Sequence, residues 1–214
     1  MTPQDIGLRL QDRLRLAVDD LLLDGTNPWE LDEAMVAYGF SMGPNEAQDL
    51  VGLDVAYARR KTQPRDPQRR YVLISDRMVQ EGRLGRKVGV GWYRYPGGGG
   101  KVIDPLVEDL CREEAHFARV ERRDFTDAEI CERIVLAMIH EACEILGEGQ
   151  GSVAQINALS EAYLGMSPAQ GGLMRMADQI GAEAILTGFN VLAQADPVTW
   201  ALSTEAMKYA QSRL

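Results

Sequence analysis

GRLGRKVGVGWYRYPGGGG, Gly82 to Gly100, combines clustered glycines, four basic residues and an aromatic trio. Such a loop either cradles a phosphate or serves a structural purpose, and the spacing separates the two. The dinucleotide fingerprint G-x-G-x-x-G needs a third glycine, but Gly89-Val90-Gly91 is followed by Trp92, Tyr93 and Arg94. No buried hydrophobic strand precedes it. The phosphate loop G-x-x-x-x-G-K-[ST] would require glycine at Tyr95 and Ser or Thr at Val102. Pro96 to Gly100 has the composition of a flexible surface loop. The stretch is expected to bind no nucleotide, and GVGWYRY to form a short extended arm.

Outward from this arm, helical periodicity dominates. Leu10, Leu14, Val18, Leu21 and Leu22 share one helical face, and Gly25 offers a stop. Asn27-Pro28 opens the next helix, and Gly43-Pro44 a third that ends near Gly52. The chain also resembles itself. ERIVLAMIHEACEILGEG, Glu132 to Gly149, has the layout of LRLQDRLRLAVDDLLLDG, Leu8 to Gly25, with Arg133 on Arg9, Leu146 on Leu22 and Gly149 on Gly25. MADQIGAEAI aligns with AQDLVGLDVA, placing Asp178 on Asp49 and Gly181 on Gly52, while Asn157 meets Asp32. Shared glycine and aspartate positions predict a tandem duplication of a small helical unit. The divisions are 1–58 for the first repeat, 59–124 for a connecting arm with the Gly-rich stretch, 125–195 for the second repeat and 196–214 for a C-terminal helix. The fold class is all-α.

GRLGRKVGVGWYRY resembles the G-R-x-G-x-K-T-G-x-G-[FW]-Y-x-Y signature that closes the C-terminal domain of 3-hydroxyacyl-CoA dehydrogenases. LDEAMVAYGFSMGPNEAQDLVGLDVAYA is similar to the I-D-x-A-M segment and its G-P-x-x-L-x-D-x-x-G-L-D continuation. HEACEILGEG and GGLMRMADQIG resemble the second copy carried by multifunctional β-oxidation enzymes. The resemblance implies two helical domains of the 6-phosphogluconate dehydrogenase C-terminal type, packed as a pseudo-dimer. In that family a Rossmann domain holds NAD and supplies the catalytic His and Glu, and the helical domain closes the acyl-CoA site. That domain is expected to be missing here, leaving no catalytic, cofactor-binding or metal-binding residue to assign. The expected role is the substrate-side and assembly half of a 3-hydroxyacyl-CoA dehydrogenase in fatty-acid metabolism, inactive without a Rossmann-domain partner. The alternative is a non-catalytic acyl-CoA-binding or protein-interaction module. Leu8-Arg9-Leu10 stands where the family opens with Asn-Arg-[LIV], and leucine cannot hydrogen-bond a thioester or an imidazole. Val88 replaces the usual Thr and Ser41 the usual Pro.

The remaining residues fit structural roles. His140 and its neighbour Glu141 do not face each other on a helix, so His140 is expected to be a partly exposed helix residue, and His116, in an acidic run, is expected to be solvated. Asp49 and Asp178 are expected to brace neighbouring helices, and Asp32 and Asn157 to act as hydrogen-bond acceptors. Met35, Met42, Met166, Met174 and Met176 are expected to fill core, and Trp92, Tyr93 and Tyr95 to pack onto the helices. A basic patch, Arg59-Arg60-Lys61 with Arg65, Arg69 and Arg70, reads as a solvated loop. The net charge of -9 argues against nucleic acid as a partner. Cys111, Cys131 and Cys143 form no C-x-x-C pair and suit a reducing cytoplasm. The N-terminus is not expected to be a signal peptide, and no membrane span is expected. Candidate partners are a Rossmann-domain chain, acyl-CoA and a second copy.

Overall fold

The computed structural model describes residues 1–64 and 73–213. Arg65, Arg69 and Arg70 of the basic patch lie outside the described residues. Among those described, the regular structure is helical, and the β-type pairings are isolated antiparallel bridges, Gly85–Val90, Val90–Arg94 and Arg94–Val102. The arm expected to be extended is therefore a bridged loop. The chain forms two compact units, Arg15–Cys131 and Met1–Leu14 with Glu132–Leu214.

In the unit Arg15–Cys131, the first helix, α1 (Pro3–Asp24), buries Val18, Leu21 and Leu22 as their spacing predicts. Its last carbonyls lack intrahelical donors. The Arg122 guanidinium satisfies them, donating to the Leu22, Leu23, Gly25 and Thr26 carbonyls at 2.6, 3.3, 2.9 and 3.0 Å. Gly25 is required because a Cβ there would overlap the Arg123 backbone. Helix α2 (Pro28–Ala37) opens on Asn27, whose side chain accepts from Glu30 N at 3.0 Å, with Pro28 at the tolerated first position. Helices α3 (Pro44–Val51) and α4 (Leu53–Lys61) meet at Gly52, φ 102°.

Helix α5 (Ile74–Gln80) takes its cap from a distance. Asp19 on α1 accepts from Ser75 N at 2.7 Å and Ser75 Oγ at 2.6 Å. Arg60, at the end of α4, donates to Ser75 Oγ at 3.1 Å and pairs with Asp76. One member of the basic patch is thus a buried strut instead of a solvated charge. Helix α6 (Pro105–Ala118) is capped by Asp104, which accepts from Leu106 N, and buries Val107, Cys111 and Ala115. It ends at Arg119, a non-glycine residue at φ 56°.

In the other unit, α7 (Asp127–Gly147) contributes its residues from Glu132 onward. Arg9 on α1 pairs there with Glu141 and Glu148. Helix α8 (Val153–Leu164) starts with a capping box between Ser152 and Gln155. Helices α9 (Leu173–Ile180) and α10 (Ala182–Ala195) meet at Gly181, whose φ 89°, ψ 147° resemble the φ 102°, ψ 127° of Gly52. The expected single C-terminal helix is two, α11 (Pro197–Trp200) and α12 (Thr204–Arg213). Ala201 turns extended between them, and Ser203 holds the break by giving its N–H to Glu144 and accepting from Ala206 N.

Removing the Arg122 clamp strands buried carbonyls, so Arg122→Ala should lower unfolding stability by about 2 kcal/mol. Arg119→Gly should instead stabilise by roughly 0.5–1 kcal/mol, because glycine tolerates a left-handed backbone that other residues resist. Urea unfolding of both variants checks the opposite signs.

Candidate functional site

Among the described residues, buried polar chemistry concentrates where the Gly-rich arm meets α2 and α3. Asp49, buried on α3, accepts from Trp92 N at 2.9 Å, Tyr93 N at 2.9 Å and the Tyr95 hydroxyl at 3.0 Å. Asp32, buried on α2, accepts from the α3 amides Asn45 N at 2.8 Å and Glu46 N at 2.9 Å, and from the Tyr93 hydroxyl at 2.9 Å. Tyr93 therefore presents its amide to one carboxylate and its phenol to the other. Arg83 fastens the arm from below, donating Nε to the Gly91 carbonyl at 3.0 Å and pairing with Asp104.

These contacts explain the glycines. A Cβ at Gly91 would overlap Asp49 Oδ1 and stand 2.6 Å from Gly85 Cα; one at Gly85 would press on the Asp49 backbone. Both glycines permit a close approach between arm and carboxylate. At Gly89 the reason is different: a Cβ there would meet only the Tyr95 carbonyl oxygen at 3.9 Å, but its φ of 79° is left-handed, and its carbonyl accepts from Tyr95 N at 2.9 Å. Pro96–Gly98 is an exposed 3-10 turn.

Burial pushes the Asp49 and Asp32 carboxyls up to about 6, against the opposing pull of their donors. The Tyr93 and Tyr95 phenols are likewise raised by burial and by the neighbouring carboxylates. The thiols of Cys111, Cys131 and Cys143 are raised to about 12, 11 and 12 by burial, which keeps them protonated and poorly nucleophilic. The arrangement ties the arm to α2 and α3 through buried donors and acceptors.

The sequence-nominated residues separate clearly. Trp92, Tyr93 and Tyr95 are buried on the helices, and Met35, Met166, Met174 and Met176 are core, with Met42 half-buried. Asp32 and Asn157 do equivalent work: Asp32 caps α3, and Asn157 Oδ1 accepts from Met174 N on α9 at 2.8 Å. Asp49 and Asp178 do not, since Asp178 is exposed while Asp49 clamps the arm. His116 is exposed beside Phe117. His140 is only 5% exposed, correcting the expected surface position; its ring lies edge-on to Phe189 and Trp200, with Arg13 stacked on Trp200. Leu8 is half-buried. Among the described residues no cluster could hold a metal ion, and no helix is long and apolar enough to cross a membrane. Sequence reasoning missed Arg83, Asp104 and Arg122, whose partners are remote or backbone groups that leave no local pattern.

Residues 7–95 match the family described as 3-hydroxyacyl-CoA dehydrogenase, C-terminal domain, and the clamped arm ends that segment at Tyr95. The chain is homologous to the peroxisomal bifunctional enzymes of Danio rerio, 35% identical over 182 residues, and of Homo sapiens, 34% identical over 182. Each alignment covers 78% of this chain and 25% of the relative, so the chain spans about a quarter of their length. Its fold is similar to the dehydrogenase part of multifunctional enzyme 1 from C. elegans, with TM-score 0.73, 18% identity and coverage of 97% of this chain and 48% of that one. It is also similar to 3-hydroxybutyryl-CoA dehydrogenase from Escherichia coli, with TM-score 0.66, 18% identity and coverage of 96% and 58%.

Replacing Asp49 by alanine strands buried donors of the arm, and Asp49→Ala should cost about 2–4 kcal/mol. Asp178→Ala, at the equivalent exposed position, should stay within about 0.5 kcal/mol. Chemical denaturation of the two variants measures both. Acidity should modulate the difference. A carboxyl raised to about 6 when folded stabilises most below its unfolded pKa of about 4, and that contribution is lost as pH rises through 6. The stability gap between wild type and Asp49→Ala should therefore be wider at pH 5 than at pH 8, by about 1 kcal/mol.

Proposed function

We propose that this chain is the substrate-side and assembly half of a 3-hydroxyacyl-CoA dehydrogenase, acting in fatty-acid metabolism on 3-hydroxyacyl-CoA with NAD held elsewhere. The observation that carries the reading is the match over residues 7–95, which ends on the clamped arm. The Trp92 and Tyr93 amides and the Tyr93 and Tyr95 phenols of that arm are engaged in folding, bound to Asp49 and Asp32. Hydride transfer needs a bound nicotinamide, a base for the 3-hydroxyl proton and a positioned thioester. In this reading the first two come from a Rossmann domain, whether a separate chain or another part of the polypeptide, and the helical chain closes the acyl-CoA site. The residues fit no nucleotide cradle, because Arg94 stands where the fingerprint needs its last glycine.

The reading includes a tandem pair of repeats packed as a pseudo-dimer. It is supported by the parallel caps of Asp32 and Asn157 and the similar backbone turns at Gly52 and Gly181. Leu8, where an amide side chain would reach a substrate, favours an assembly role for the first repeat over a chemical one. The free cysteines support a reducing compartment, the cytoplasm in this reading.

The test is NADH production from short- and medium-chain 3-hydroxyacyl-CoA by the purified chain, alone and with an added Rossmann domain from a relative. No turnover alone, and turnover on addition, is the expected result. Turnover by the chain alone, abolished by His140→Ala, would contradict it. Binding of acyl-CoA with no turnover under either condition would favour the binding-module alternative.

A further inference from the structure

The buried face of α6 is accounted for by Val107, Cys111 and Ala115, but its opposite face carries apolar side chains too. Leu106 is 60% exposed and Phe117 69%, with Leu110 half-buried between them. Positions 106, 110, 113 and 117 fall on one stripe of the helix. At the stripe's start a cavity of about 470 Å³ opens, lined by Leu106 and Leu110, by the buried Arg83, and by Glu81, Asp109 and Glu113, exposed carboxylates that form its rim. Arg83 brings no net charge to the rim, because it is paired with Asp104. Arg77 is shared among Glu81, Glu113 and Glu114, so the carboxylates outnumber the cations around the cavity.

We propose that this groove docks a basic amphipathic helix. Apolar anchors at one-turn and multiple-turn spacing are what a second helix reads when it lies along the first. The cavity suits a lysine or arginine, whose methylene stem would cover Leu106 and Leu110 while its head meets the rim carboxylates. Charge selects among the occupants. A second copy docked through the same patch would bring acidic rim against acidic rim, which is repulsive. An anionic bilayer would repel the rim in the same way. A cationic helix satisfies both the stripe and its border.

The probe is a fluorescently labelled helical peptide of leucine and lysine in heptad order, with a leucine–glutamate peptide of the same pattern as its counterpart. Anisotropy titration of the full chain should show binding of the lysine peptide only. The double variant Leu106→Ser/Phe117→Ser should weaken it at least tenfold, and Asp109→Asn/Glu113→Gln at least fivefold. Val191→Ser, at an apolar position 60% exposed on α10, should change nothing. All these sites are exposed, and melting curves verify that each variant is folded. Equal binding by wild type and Leu106→Ser/Phe117→Ser, which bulk charge alone would produce, would overturn the proposal. So would binding of the leucine–glutamate peptide, or self-association of the chain that the same double variant abolishes.

Discussion

One carboxylate organises the arm. Asp49 takes hydrogen bonds from two consecutive amides and a phenol, and these come from the aromatic trio Trp92, Tyr93 and Tyr95. The arm has no strand ladder of its own, only isolated bridges, so its backbone needs an outside acceptor to be buried at all. Once Asp49 supplies it, the consequences spread. Gly85 and Gly91 must lack side chains, Tyr93 swings its hydroxyl to Asp32, and Asp32 caps α3, the helix that carries Asp49. Arg83 and Asp104 then join the arm to the start of α6.

The same device recurs at smaller scale. Asp19 caps α5 from α1, Asn157 caps α9 from α8, and Arg122 covers the carbonyl end of α1. Helices α3, α5 and α9 have only 8, 7 and 8 residues, and short helices leave a large share of their terminal groups without intrahelical partners. Side chains far away in sequence close those ends. Burial raises the carboxyls involved, yet each remains matched with donors, which is what a buried polar group needs if its burial is not to cost stability.

The sequence disclosed the elements whose signals are local. Leucines at helical spacing marked α1, Asn27-Pro28 marked the start of α2, and the glycines after Asp49 and Asp178 marked the α3–α4 and α9–α10 turns. The structural reason for Gly85 and Gly91, their close approach to Asp49, lay outside any local pattern. Remote pairing was hidden. Nothing near Arg122 announces that its partners are the carbonyls of Leu22 and Gly25, and nothing near Arg60 announces Ser75. Repetition misled at one place: Asp49 and Asp178 align, but only the first has an arm to clamp. His140 was misplaced because its burial depends on Phe189 and Trp200, which lie far along the chain.

Asp49 holds the arm in place through the amides of Trp92 and Tyr93. Amide hydrogen exchange reads those protons directly. Their protection should match that of the buried face of α3 in the wild type, and should collapse in Asp49→Ala while α7 remains protected. Fast exchange of the two amides in the wild type, or protection that survives loss of the carboxylate, would contradict the account.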